Sequence, residues 1–256
     1  MQLTFNKSLA DNYKSQPQQI RALTEDWVNR EIYCPNCGIS SIEKYQNNKP
    51  VADFFCSGCS EDYELKSKKG ITGNKIVDGA YQTMVSRLRS ASNPNFFLLN
   101  YDLQSHSVLN FLVIPKHFFT PDIIEKRKPL SLTARRAGWV GCNIILRDIP
   151  QSGKIFFIRN GTAEPKEKVI STWKNTLFLR NEKTIEAKGW LLDVMRCVEQ
   201  LKLQKFTLED MYGFERELST KHPENRHVKD KIRQQLQILR DNGYLMFLSR
   251  GQYQII

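Results

Sequence analysis

The chain has 256 residues, of which 25% are charged, with a formal net charge of +11. Its length holds one large domain or two moderate ones with an adequate core. No apolar run approaches a membrane span without a charge in it, and the amino terminus lacks the apolar core of a secretory signal, so a cytoplasmic protein is expected rather than a membrane or secreted one. The excess of Lys and Arg points to a polyanionic partner, nucleic acid being the commonest, with a merely soluble basic surface as the alternative.

Residues 18–30 read as a helix, with Ile20, Leu23, Trp27 and Val28 forming one apolar stripe. Glu25 lies within it. It could reach an active site nearby, but a solvated acid is the plainer reading.

Two C-x-x-C pairs follow, Cys34 with Cys37 and Cys56 with Cys59, at zinc-ribbon spacing. Four thiolates satisfy tetrahedral zinc and leave no open position, which makes the expected Zn²⁺ structural. Pro35 and Gly38, then Ser57 and Gly58, suit the tight turn of each knuckle. Two disulfides are the alternative, and the expected reducing compartment weighs against them. Cys142 and Cys197 stand apart and read as ordinary thiols.

A second chemistry overlaps the second knuckle. Pro50 precedes Asp53, and Glu64-Leu65-Lys66 follows, the pattern P-(x)n-D-(x)n-(D/E)-x-K. On a strand, Glu64 and Lys66 share one face while Leu65 turns to the core. Asp53 and Glu64 are hard oxygen ligands for one or two divalent cations, Mg²⁺ being the expected one. Lys66 would orient or help deprotonate an attacking water. Alone, the E-x-K triplet is a weak signal; the upstream Asp and the elements that follow strengthen it.

After a basic loop, a helix is expected from about residue 78 to 89, and strands at 96–101 and 108–114, giving the crossover of a mixed sheet. Residues 116–146 are basic and lack regular periodicity. Within them Arg135, Arg136 and Trp139, flanked by glycines, suit a loop that meets DNA, guanidinium groups on phosphate or guanine and indole on an apolar surface. The other reading has Trp139 in the core and both arginines in solvent. A strand at 154–159 and a polar connector from 164 lead to a charged stretch at 180–188, where the domain boundary is placed.

Beyond it, residues 189–200 form a helix carrying Trp190, Leu191, Val194, Cys197 and Val198. Thr207 opens a second helix with Asp210 in a capping box. A third runs from about 225 to 241, with Val228, Ile232, Leu236 and Leu239 as its stripe, and a terminal strand-turn-strand completes a winged helix. Arg226, His227, Lys229, Arg233 and Gln234 are the groove-facing candidates of the third helix, and Arg250 marks the wing tip. A solvated charged face in a protein-interaction module is the alternative.

The runs NNKPVADFFCSGCSEDYELKSKKG, LTEDWV, ARRAGWVGCNI and KIRQQLQILRD together closely resemble the DpnI family of methylation-dependent restriction endonucleases, over essentially the whole chain. The resemblance implies a type II enzyme with an α/β (α+β, mixed-sheet) PD-(D/E)xK nuclease core that carries the zinc site, residues 1–182, followed by a small winged-helix domain, residues 183–256. It implies cutting of double-stranded DNA at GATC sites with N6-methyladenine, and makes Trp139 the preferred sensor of the methyl group. Asp53, Glu64 and Lys66 fall on the family's catalytic positions, and Cys34, Cys37, Cys56 and Cys59 on its zinc ligands, without departure. A monomer in solution is expected, no dimer seam being evident. The competing reading is a non-enzymatic zinc-containing winged-helix regulator, which leaves Asp53, Glu64 and Lys66 as coincidence. A nuclease acting on RNA or branched DNA is the third.

Overall fold

Pro17 in the first turn and the i, i+4 spacing of Leu23, Trp27 and Val28 make Gln16–Glu31 the first helix, α1. The structure, a computed structural model, describes residues 1–46, 52–90 and 92–256. Two units divide the chain: Met1–Leu146 with Ser152–Thr176, and Arg147–Gln151 with Leu177–Ile256.

In the first unit α1 is followed by β1 (Glu43–Lys44), β2 (Phe54–Phe55), β3 (Asp62–Lys69), β4 (Lys75–Ala80), α2 (Tyr81–Arg89), β5 (Asn95–Asp102) and β6 (Ser107–Ile114). Then come β7 (Ile124–Lys126), β8 (Gly141–Ile145), β9 (Ile155–Arg159), β10 (Thr162–Ala163) and α3 (Lys166–Lys174). A seven-stranded sheet has the order β1-β2-β3-β5-β6-β9-β10. In it β3 and β5 are parallel and the remaining neighbours antiparallel. β5 is buried almost throughout: residues 96–99 are an apolar run suited to a strand covered on both faces, and the buried Asn95 and Asn100 donate to Glu61 and Thr72.

One face of this sheet packs on α1 and α3. Trp27 meets Phe111 edge-on at 5.2 Å between ring centroids, Phe111 contacts Phe97 at 5.0 Å, and Tyr63 stacks on Phe97 at 4.5 Å. Because side chains alternate along β3, Tyr63 on this face sends Glu64 and Lys66 to the other. There Phe96 meets Phe119 at 4.8 Å. The crossover from β3 to β5 runs through β4 and α2, and β4 leaves the large sheet to form a second one, of order β4-β8-β7.

Several expectations need correction. Residues 75–80, read partly as the start of a helix, form β4; Gly79 and the alternation of Ile76 and Asp78 with exposed neighbours favour a strand. Residues 116–146 hold β7 and β8, too short to show periodicity. The connector after Pro165 is the helix α3, which buries Val169 and Trp173. Pro50 lies outside the described residues.

The second unit contains α4 (Ile185–Gln200), β11 (Lys205–Thr207), α5 (Leu208–Tyr212), α6 (Glu215–Lys221), α7 (Val228–Asp241), β12 (Leu245–Ser249) and β13 (Gln252–Ile255). Val228, Ile232, Leu236 and Leu239 are all buried, each contributing roughly 1.5–3 kcal/mol of apolar burial. Gly243, at φ +73, takes the left-handed conformation that ends α7. The Thr207–Asp210 capping box is present. The expected second helix is two, α5 and α6, broken at Gly213 and Phe214, and β11 joins the hairpin to give the order β11-β13-β12. Asp193 of α4 accepts from Lys221 at 2.5 Å and lies 2.9 Å from the His222 ring, tying α4 to the end of α6. No helix among the described residues is long and apolar enough to cross a membrane.

Candidate active site and cysteine cluster

Asp53 sits just before β2 and is fixed against β3 twice: its backbone N–H donates to Tyr63 O (2.9 Å), and its Oδ2 accepts from the Leu65 N–H (2.8 Å). Glu64 and Lys66, two apart on β3, are joined by an ion pair of 2.5 Å between Lys66 Nζ and Glu64 Oε1. The same Nζ lies 2.5 Å from Oδ1 of Asp78 on β4. Asp53, Glu64, Lys66 and Asp78 line one cavity of about 300 Å³, with Thr83 and Arg87 contributed by α2. The three residues singled out by the sequence therefore converge. Asp78 joins them without a signal in the sequence, since a single Asp in a stretch that reads as helix carries none.

Burial pushes both carboxylic acids above their ordinary range, Asp53 against the Leu65 N–H and Glu64 against the charge of Lys66. For Lys66 burial works downward, but Glu64 and Asp78 outweigh it and hold the group as an ammonium. It is thus suited to donating and to neutralising charge, not to accepting a proton.

Two expectations here are corrected. Glu25 is not a solvated acid: it is buried and paired with Arg21 (2.5 Å) and Lys44 (2.6 Å), the latter brought in by β1 from beyond the first knuckle. Leu65 is only half-buried and lines a second cavity of about 510 Å³ between α1 and β3, with Arg21, Glu25, Asp53 and Lys69.

The four sulfurs of Cys34, Cys37, Cys56 and Cys59 lie within 4.8 Å of one another, and all four cysteines are free. Cys34 and Cys59 are 3.5 Å apart, as are Cys37 and Cys56. Zinc–thiolate bonds of about 2.3 Å in a tetrahedron place sulfurs about 3.8 Å apart, so the cluster could bind zinc. Burial pushes the Cys34 thiol up, and a bound cation would reverse this. In the knuckles the positive φ falls at Gly38 (+79) and at Ser60 (+57), not at Gly58. Tyr63 joins the cluster to β3, its hydroxyl 3.2 Å from Cys34 Sγ.

The link between β7 and β8 carries Arg135, Arg136 and Trp139. Both arginines are exposed, and Trp139 is half-exposed rather than in the core. The Arg136 guanidinium lies 4.8 Å from the indole centroid. Backbone bonds from Leu130 N to Trp139 O (2.9 Å) and from Gly138 N to Leu130 O (3.1 Å) set the loop. The indole rests on Gly141, where a Cβ would come within 2.8 Å of two ring carbons.

In the second unit Arg226, His227, Lys229, Arg233, Gln234 and Arg250 are all exposed. Lys229 and Arg233 flank the Tyr212 ring at 5.0 and 5.5 Å, and Arg233 donates to the Tyr212 hydroxyl. Arg250 stands in the turn between β12 and β13.

A family model described as DpnI, the Dam-replacing family, matches residues 1–182, and a second, the Dam-replacing HTH domain, matches residues 186–255. The chain belongs to the DpnI family. It is accordingly a restriction endonuclease of that kind with a helix-turn-helix domain of the DNA-binding type. In this DpnI-family chain the acidic groups and the lysine share one cavity of the first unit, and α7 of the second is basic and exposed.

Proposed function

We propose that this protein is a Mg²⁺-dependent, type II endodeoxyribonuclease that hydrolyses double-stranded DNA at GATC sites containing N6-methyladenine, with residues 1–182 as the nuclease domain and 183–256 as the winged helix. The convergence of Asp53, Glu64 and Lys66 on one cavity carries the reading. Two carboxylates facing the same space are the donor set a hard divalent cation prefers, and Asp53 and Glu64 would hold it. When bound, such an ion supplies charge that offsets the negative charge developing on the phosphate. Lys66, as an ammonium, donates to the attacking water and orients it; the water oxygen bonds to phosphorus as one P–O ester bond breaks, the proton the water loses passing to solvent and the leaving oxygen taking one up from solvent.

Free cysteines and a four-thiol cluster support a structural Zn²⁺ and a reducing, cytoplasmic setting. The protein is a monomer in solution. Arg135, Arg136 and Trp139 meet DNA from the nuclease domain, Lys229, Arg233 and Gln234 from α7, Arg226 and His227 from the segment just before α7, which starts at Val228 rather than at about 225, and Arg250 from the wing.

The test is digestion of one plasmid grown with and without adenine methylation, with Mg²⁺ and without it. Cutting of the methylated form alone, only with metal, is the expected result. Tight binding with no cutting of either form would instead favour the non-enzymatic regulator.

Trp139→Ala should reduce the preference for methylated over unmethylated sites about 5- to 150-fold, since a lost aromatic contact costs roughly 1–3 kcal/mol. Gly141→Ala should reproduce part of this by displacing the indole. Competition binding with both duplexes measures it, and an unchanged ratio in Trp139→Ala would remove the residue from methyl sensing.

A further inference from the structure

Lysine is a flexible side chain, with four methylene groups between backbone and charge, and on a strand nothing intrinsic fixes where its ammonium goes. Lys66 is nevertheless held from two sides, by Glu64 on its own strand and by Asp78 on β4, each at 2.5 Å. The two carboxylates play different parts. Glu64 is one of the two proposed cation ligands, so its oxygens are contested between the cation and the ammonium. Asp78 belongs to the other sheet, and its side chain is 7% exposed against 19% for Glu64. Its backbone is set by pairing with Cys142 on β8, and the register shifts between Asp78 and Ala80. Such an irregularity beside a site re-aims a side chain, and here the carboxylate reaches across to Lys66.

We infer that Asp78 is a positioning residue for the reaction: it keeps the Lys66 ammonium in the cavity when Glu64 turns its carboxylate to the cation. The inference rests on the nuclease reading above. Without Asp78, Lys66 would follow Glu64 or swing towards solvent, and the water it orients would lose its place relative to the phosphate.

The test compares wild type with Asp78→Asn, which keeps shape but removes charge, with Asp78→Glu, which restores it, and with Asp78→Ser should the first variant fail to fold. Asp78→Asn should lower kcat on methylated plasmid on the order of 100-fold, as misplacement of about 1 Å does, while KM for DNA and the half-saturating Mg²⁺ concentration stay within about twofold. Asp78→Glu should recover part of the rate. Thermal unfolding and DNA affinity in Mg²⁺-free buffer should match wild type. Wild-type kcat in Asp78→Asn would overturn the inference and leave the nuclease reading standing. A shift in Mg²⁺ half-saturation with kcat restored at high Mg²⁺ would overturn it by making Asp78 a ligand. A rate loss that tracks lost thermal stability and is not rescued by Asp78→Glu would overturn it by making Asp78 structural. A wild type that cuts nothing sinks the nuclease reading, and the inference with it.

Discussion

Glu64→Gln should abolish plasmid cleavage, by on the order of 10³-fold or more, while DNA affinity in Mg²⁺-free buffer is retained. The substitution keeps the shape of the side chain and leaves an amide oxygen that can still accept from Lys66, but it removes the negative charge that a cation needs. The same variant should be at least as heat-stable as wild type. Burial raises the folded-state pKa of Glu64 above its unfolded value, so folding favours the protonated acid, and above that folded pKa the ionised form costs stability. A neutral glutamine removes the cost. Activity and stability thus move in opposite directions, which separates a functional carboxylate from a structural one. For wild type at limiting Mg²⁺, where protons compete with the cation for Asp53 and Glu64, the raised pKa values of both predict that cleavage drops as the pH is lowered before the ordinary carboxylate range near about 4 is reached, and that more Mg²⁺ moves the drop to lower pH. Cleavage rates across pH, with calorimetry of the variant, measure both. A Glu64→Gln enzyme that still cuts at a wild-type rate would remove Glu64 from the chemistry.

The sequence exposed those parts of the site that are local in the chain. Glu64 and Lys66 share a strand face because of a two-residue spacing, and the cysteine pairs point to one ion because of their knuckle spacing; both are written in short stretches. The apolar stripes of α1 and α7 were legible for the same reason. Asp78 was not, because its role depends on β4 leaving the main sheet and crossing back over β3, a pairing with β8 more than sixty residues away. The burial of Glu25 is hidden on the same ground: it is made tolerable by Lys44, which arrives on a two-residue strand with no periodicity of its own. Short strands such as β7, at three residues, pair through backbone groups that every sequence supplies. Their partners are set by the fold, not by a local pattern.

Loss of the metal from the cysteine cluster should be the most damaging single change to the nuclease unit. Structural zinc sites of this kind contribute roughly 10 kcal/mol or more of apparent binding free energy, which is also folding free energy. Cys56→Ser should therefore lower the melting temperature of this unit by about 20 °C or more, since each ~1 kcal/mol shifts it by about 2–4 °C at this size. The loss should reach catalysis without touching the proposed active-site residues. Asp53 lies three positions before Cys56, Glu64 lies five after Cys59, and Tyr63 bonds Cys34 from the same strand. The second knuckle thus closes the turn between β2 and β3, and its collapse would let the two carboxylates drift apart. Elemental analysis should give one zinc per chain for wild type and none for Cys56→Ser, and cleavage by the variant should fall to background even at high Mg²⁺. Chelation followed by Mg²⁺ alone should not restore cutting, whereas Zn²⁺ added before Mg²⁺ should. Full activity in a zinc-free protein would show that the hydrogen bonds of Asp53 and the β2–β3 pairing suffice to hold the site, and that the cluster serves something else.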